Sequence, residues 1–208
     1  MGKIIEGFLG GFSGKVGNVV GAKWKDVHYV RSLPVNAKDP KTKKQVKQRG
    51  KFTVTMEFMK TITPFLRVGF EKEATGRSTA FNAAMSYNMK NAVKIHDQKT
   101  VLDYPRVLVA RGPVTPARDI HAEIIEGELQ VRWNPDIEKN ASPGDMAMLV
   151  VYNPAKQQSV YDLNLAKRAD ATAIFSLTTD WEDDTIHAYL AFKTPDGANV
   201  SDSIYIQL

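Results

Sequence analysis

Seven of the first 21 residues are glycine, at positions 2, 7, 10, 11, 14, 17 and 21. Each interior glycine costs a helix about 1 kcal/mol relative to alanine, so this stretch does not read as helical. Aliphatic residues fill the gaps. From Val16 the run KVGNVVGAKWKDVHYVRSLP predicts two short strands, with a turn at Trp24-Lys25-Asp26 or at Gly21. Glycine-rich strands bury little side chain and specify their register weakly. Such an arm gains order by packing on something else, either its own body or a neighbouring copy. Gly11, Phe12, Lys15, Val16, Val19, Val20, Trp24 and Tyr29 are the residues expected to carry that contact.

A cationic segment follows. Lys38, Lys41, Lys43, Lys44, Lys47, Arg49 and Lys51 form a basic patch for nucleic acid or an acidic partner. The chain has a net charge of +5, unevenly spread. Residues 1–60 hold 13 Lys and Arg against 4 Asp and Glu, whereas residues 61–208 hold 15 against 19. A basic head on a mildly acidic body implies an anionic partner or head-to-body contact between copies.

Asp39-Pro40 reads as a helix start, with Asp at the N-cap and Pro in the first turn. Val46, Phe52, Met56, Met59, Leu66 and Phe70 recur at spacings compatible with one helical face, and Pro64 should kink or divide that helix. Ser78 or Thr79 caps a second helix, whose stripe runs through Phe81, Ala84, Met85, Asn88, Met89, Ala92 and Val93. The two make an antiparallel pair.

From Tyr104 onward short β-prone runs alternate with turn signals: RVLVARG, HAEIIEGELQVRW, DMAMLVVYNP, SVYDLNLAKR, TAIFSLT, TIHAYLAFKT and VSDSIYIQL. Seven runs at this spacing predict a β-sandwich. The expected fold class is therefore α+β. A glycine-rich β-hairpin arm and helical pair over residues 1–103 precede an immunoglobulin-like sandwich over 104–208.

The C-terminal half resembles fibronectin type III and related immunoglobulin-like domains. The likeness rests on strand order, on Leu129-x-Val131-x-Trp133, on Tyr189, Ala191 and Phe192, and on a final strand from Ser201 to Tyr205. It implies a fold and no function. The whole chain resembles an uncharacterised Bacteroidota family of about this length. The matching motifs are GGFSGKVGNVVG from Gly10 to Gly21, Trp24-Lys25, Arg31-Ser32-x-Pro34, Gln45-x-x-Gln48-Arg49-x-Lys51-Phe52, FNAAMSY from Phe81 to Tyr87, and the closing Ser201-x-Ser203. The resemblance favours a bacterial or phage-derived protein and brings no catalytic residues with it. Asp26 stands where the family pattern leads one to expect glycine.

Catalytic and ligand patterns fail on spacing. Gly10 to Lys15 lacks the length, the Ser or Thr and the following helix of a phosphate-binding loop. His28, His96, His121 and His187 include no helical metal pair. The acidic run from Asp180 to Asp184 lacks the alternating ligands of a calcium loop and reads as a solvated turn. There is no cysteine, no run of about 18 apolar residues, and no signal-peptide pattern, since Glu6 interrupts the first apolar stretch. The expectation is a non-enzymatic structural or assembly protein with no cofactor and no membrane span. It is made in the cytoplasm and self-associates through its arm, a virion part being one natural home. The alternative is non-specific nucleic-acid binding by residues 38–60.

Overall fold

The computed structural model describes residues 3–4, 11–24, 26–34, 39–76, 78–97, 99–137, 139–181 and 184–208, with backbone alone at Lys3 and Ile4. They fall into two compact units, residues 1–42 and residues 43–208.

The first unit is an antiparallel sheet of β1 (Lys3–Ile4), β2 (Phe12–Val16), β3 (Val19–Trp24) and β4 (Val27–Ser32), in that order. The expected pair of strands is therefore a meander. Gly17-Asn18 makes the first turn, and Trp24 pairs with Val27 across the second. The strand β2 bends at Gly14, whose φ of 103° suits only glycine. The bend brings Phe12 over Gly21, where an added Cβ would lie 2.2 Å from the Phe12 carbonyl oxygen.

The second unit begins with α1 (Lys43–Met59), continues through a short 3-10 turn into α2 (Thr63–Gly69), and reverses into α3 (Ala80–Asn91). Pro64 sits in the first turn of α2, so the long helix is divided there, as its sequence requires. The Thr79 side chain accepts from the Asn82 N–H and caps α3. The Asp39-Pro40 start is corrected. Asp39 instead accepts from the Lys41 N–H in a local turn with Lys41 at φ 44°, and α1 begins two residues later. A hairpin of β5 (Val93–His96) and β6 (Lys99–Leu102), absent from the sequence reading, follows α3.

The remaining strands are β7 (His121–Ile125), β8 (Glu128–Arg132), β9 (Met146–Asn153), β10 (Gln158–Lys167), β11 (Thr172–Ser176), β12 (His187–Lys193) and β13 (Ile204–Ile206). They form a three-stranded sheet, β11-β8-β7, and a four-stranded sheet, β10-β9-β12-β13. This three-plus-four arrangement is the fibronectin type III-like sandwich. RVLVARG is not one of its strands; HAEIIEGELQVRW supplies two. The backbone of 108–111 is committed elsewhere. Asn88 exchanges two hydrogen bonds with Leu108, Val109 donates to the Ser203 hydroxyl, and Arg111 donates to the Gly69 carbonyl.

The four-stranded sheet is buried on both faces. Met148, Val150, Tyr152, Tyr189 and Ala191 point into one core with Phe58, Met59, Phe65, Leu66 and Met85 of the helices. Their neighbours Ala147, Leu149, Val151, Ala188, Leu190 and Phe192 point into another with Leu129, Val131 and Trp133. Helices, four-stranded sheet and three-stranded sheet are thus three stacked layers. A boundary after residue 103 does not divide this unit, because cutting there would strip the helical layer from a face of large apolar side chains. The division falls between Thr42 and Lys43.

Two polar devices lock the layers. Arg168 and Asp145, each 1% exposed at the side chain, form an ion pair at 3.2 Å. The guanidinium also donates to the Thr115 carbonyl and lies 3.8 Å over the Phe192 ring. On the helical side, Tyr189 donates to the Tyr104 carbonyl at 2.9 Å, and His187 stacks on the Tyr104 ring at 3.8 Å with its Nδ1 2.9 Å from the Tyr205 hydroxyl. Burial holds the His187 pKa below its ordinary value of 6.5.

Arg168→Ala leaves Asp145 buried without its cation and is expected to cost about 3–5 kcal/mol, read from urea unfolding. Because the folded state disfavours a charged His187, its contribution is whole above pH 6.5. It is lost as pH falls through that value toward the lower folded pKa. Unfolding midpoints of His187→Gln should show a flatter pH dependence across that window than the parent chain.

Candidate functional site

The N-terminal sheet has two unlike faces, because residues paired across antiparallel strands share a face. Lys15 pairs with Val20, Val20 with Arg31, Ala22 with Tyr29 and Trp24 with Val27. One face therefore carries Lys15, Val20, Trp24, Val27, Tyr29 and Arg31. The opposite face carries Val16, Val19, Gly21, His28 and Val30, and Gly11 and Phe12 lie against it at His28 and Gly21. The predicted contact residues are split accordingly: Lys15, Val20, Trp24 and Tyr29 come together, while Gly11, Phe12, Val16 and Val19 belong to the other side.

Phe12, Val19, Val20 and Ala22 are half-buried, but other apolar side chains of this sheet are left in solvent. Val16 is 50% exposed, Trp24 46%, Tyr29 44% and Val30 58%. All six residues of β4, an edge strand, are exposed. Among the described residues, neither hydrophobic core contains any residue of 1–42.

Of the basic patch, Lys38 lies outside the described residues. Lys41 stands in the turn before α1. Lys43, Lys47 and Lys51 follow each other at four-residue spacing along one side of α1, with Lys44 beside them and Arg49 on another side. Residues 43–49 are all exposed. Lys51 reaches to within 3.5 Å of the Met89 carbonyl near the end of α3. No acidic residue occupies the first turn of α1, so Lys43 and Lys44 stand at the positive end of the helix dipole, an unfavourable placement.

Asp180 and Asp184 of the acidic run are tied up internally. Lys156 donates to the Asp180 carboxylate and carbonyl and sits 3.4 Å from Asp184. The Asn153 amide, ahead of Lys156, holds the Asp184 carboxyl below the usual range. Glu182 and Asp183 lie outside the described residues. Among those described, no three His, Asp or Glu gather as a metal set, and no helix is long and apolar enough to cross a membrane.

What the sequence reading missed is a groove of about 530 Å³ between α1 and α3. Phe52, Met56, Met85 and Met89 line it, with Lys51 and Lys90 at its rim. The signal was present: Phe52 and Met56, four apart, fall on the same side of α1, and Met85 and Met89 do the same on α3.

A model of a family of unknown function, DUF6266, matches residues 11–207. The chain belongs to that family. The match begins at Gly11, so it includes the bent sheet and not only the sandwich. No curated protein matches. Among solved structures, the chain is similar to the fn3 domain of human collagen alpha-1(XX) chain, at 15% identity and a TM-score of 0.31. That likeness covers 45% of this chain and 81% of the other. The sandwich itself is read from its own strand order.

The close approach at Gly21 gives a direct check on the sheet. Gly21→Ala would set a Cβ against a backbone oxygen, which must shift. The expected result is loss of the β2 bend, seen as amide chemical-shift changes spread over residues 11–32, with those of 43–208 unmoved.

Proposed function

We propose that this chain is a non-enzymatic structural protein that self-associates through its N-terminal sheet. One observation carries the reading: the four-stranded sheet, with no core among its described residues, leaves Val16, Trp24, Tyr29 and Val30 between 44% and 58% exposed. Small sheets gain independent stability only by packing a hydrophobic face. An open edge strand such as β4 offers unpaired backbone groups for strand addition. Fully burying side chains of this size contributes about 1.5–3 kcal/mol each, so a partner that covers them supplies what the sheet lacks. The opposite charges of head and body favour a second copy as that partner. A contact between unlike surfaces repeats into rings or filaments, as in a virion or other assembly.

A second reading has its own support in α1. Lysines at the positive end of a helix dipole, exposed and without acidic neighbours in the first turn, favour an anionic partner. Non-specific nucleic acid fits, with affinity that falls steeply as salt rises.

Size-exclusion chromatography with light scattering separates the two. The full chain is expected to run well above its 23.2 kDa mass. Val30→Lys, which places a charge on the open edge strand, should shift it toward monomer without altering the unfolding of residues 43–208. A chain that stays monomeric at every concentration and salt overturns the assembly reading. A duplex mobility shift lost between low and moderate salt then supports the second.

A further inference from the structure

We infer that the groove between α1 and α3 receives the β7–β8 hairpin tip of another copy, making a second, head-to-tail contact. This rests on the self-association reading and adds to it a surface apart from the N-terminal sheet.

The groove is apolar inside and cationic at its rim. Phe52 is 47% exposed there, beside Met56 and Met89, and Lys51 and Lys90 flank them. Methionine is unbranched and polarisable and adapts to an incoming apolar group. Its occupant should therefore present apolar side chains framed by carboxylates.

The same chain carries such an element. The turn between β7 and β8 is Glu126-Gly127, both at positive φ, a tight hairpin turn that projects the strand ends. Ile124 and Ile125 just before it are 48% and 43% exposed. Ile125 shares its face with Glu128 and with Glu123, which lies 3.7 Å from Arg132; Glu126 follows in the turn, and Ile124 is on the other face. Exposed Ile125 beside Glu126 and Glu128 is the complement of exposed Phe52 beside Lys51 and Lys90.

The two surfaces cannot meet within one molecule. The helices pack on one face of the four-stranded sheet and the β7–β8 hairpin belongs to the sheet on its other face. Stacked layers lie about 10 Å apart. Groove and hairpin thus lie on opposite sides of a common middle layer, and a contact between such unlike surfaces propagates from copy to copy.

The chain has no cysteine, which makes cross-linking clean. Ser86→Cys in the groove and Ile125→Cys at the tip, in one chain, lie beyond the Cα separation of about 7 Å that a disulfide can close. Oxidation of this double variant should give a ladder at multiples of 23.2 kDa. The ladder should persist when Val30→Lys is added. Lys90→Glu or Glu126→Lys alone should weaken it about tenfold, and the two together should restore it.

Restoration by the double reversal separates loss of contact from loss of folding. A wild-type chain that exceeds its monomer mass while the double-cysteine variant yields no ladder overturns the groove contact alone. A monomeric wild type without a ladder overturns both contacts. A ladder indifferent to both charge reversals also overturns the groove contact.

Discussion

The fold of residues 43–208 depends on one constraint: the strands β9 and β12 must be covered on both faces. Their residues alternate between two cores, and nearly all of them are buried. A two-layer sandwich would cover one face and leave Met148, Val150, Tyr152 and Tyr189 in water. The helices therefore serve as the third layer. This explains why the buried Asn88 of α3, whose amide also donates to the Ala84 carbonyl, exchanges two hydrogen bonds with the backbone of Leu108. It explains Ser203 likewise, whose hydroxyl takes the Val109 N–H. The segment from 107 to 111 is the seam between helix layer and sandwich, and its polar groups must be satisfied from both sides.

The buried Arg168–Asp145 pair answers to the same demand on the opposite face. Removing charges from water is expensive, and the pair is offset by the Thr115 carbonyl, the Phe192 ring and the Ser142 N–H. Trp133 donates its indole N–H to the Arg168 carbonyl, so the core tryptophan and the ion pair fix one another. Asp145 Oδ2 accepts from both Arg168 and the Ser142 N–H, while Oδ1 has no partner among the described residues. These polar anchors set where the loops cross the sandwich, and the apolar layers supply the driving force.

Much of this was legible in the sequence. Pro64 marked the break between α1 and α2, Ser78 or Thr79 the cap of α3, and Trp133 the sandwich core. The boundary expected after residue 103 does not divide the second unit, because DMAMLVVYNP and TIHAYLAFKT are not ordinary sandwich strands. Their apolar runs are continuous rather than alternating, the mark of a strand buried on both sides. The extra strand at the N-terminus was also signalled, since Gly17-Asn18 between two valines is a two-residue hairpin turn. Asp39-Pro40 misled because a local side-chain turn competes with helix initiation for the same residues. The groove between α1 and α3 and the exposed tip of β7–β8 are tertiary facts, and only side-chain pairs at four-residue spacing hinted at the first.

The contrast between the two units bears most on function. Residues 43–208 bury two hydrophobic cores between three layers held by two locks. Residues 11–32 follow tight local rules, with a bend at Gly14, a close approach at Gly21 and paired register throughout, yet they gather no core among the described residues. A segment so strictly shaped and so poorly buried is not explained by the stability of the chain alone. Its shape fixes Trp24, Val27 and Tyr29 on one face beside Lys15 and Arg31, where flexible chain would scatter them. A preformed apolar and cationic surface lowers the ordering cost of association. Local precision without a core fits the proposed association, and the family match over residues 11–207 spans both this sheet from Gly11 onward and the three-layer body.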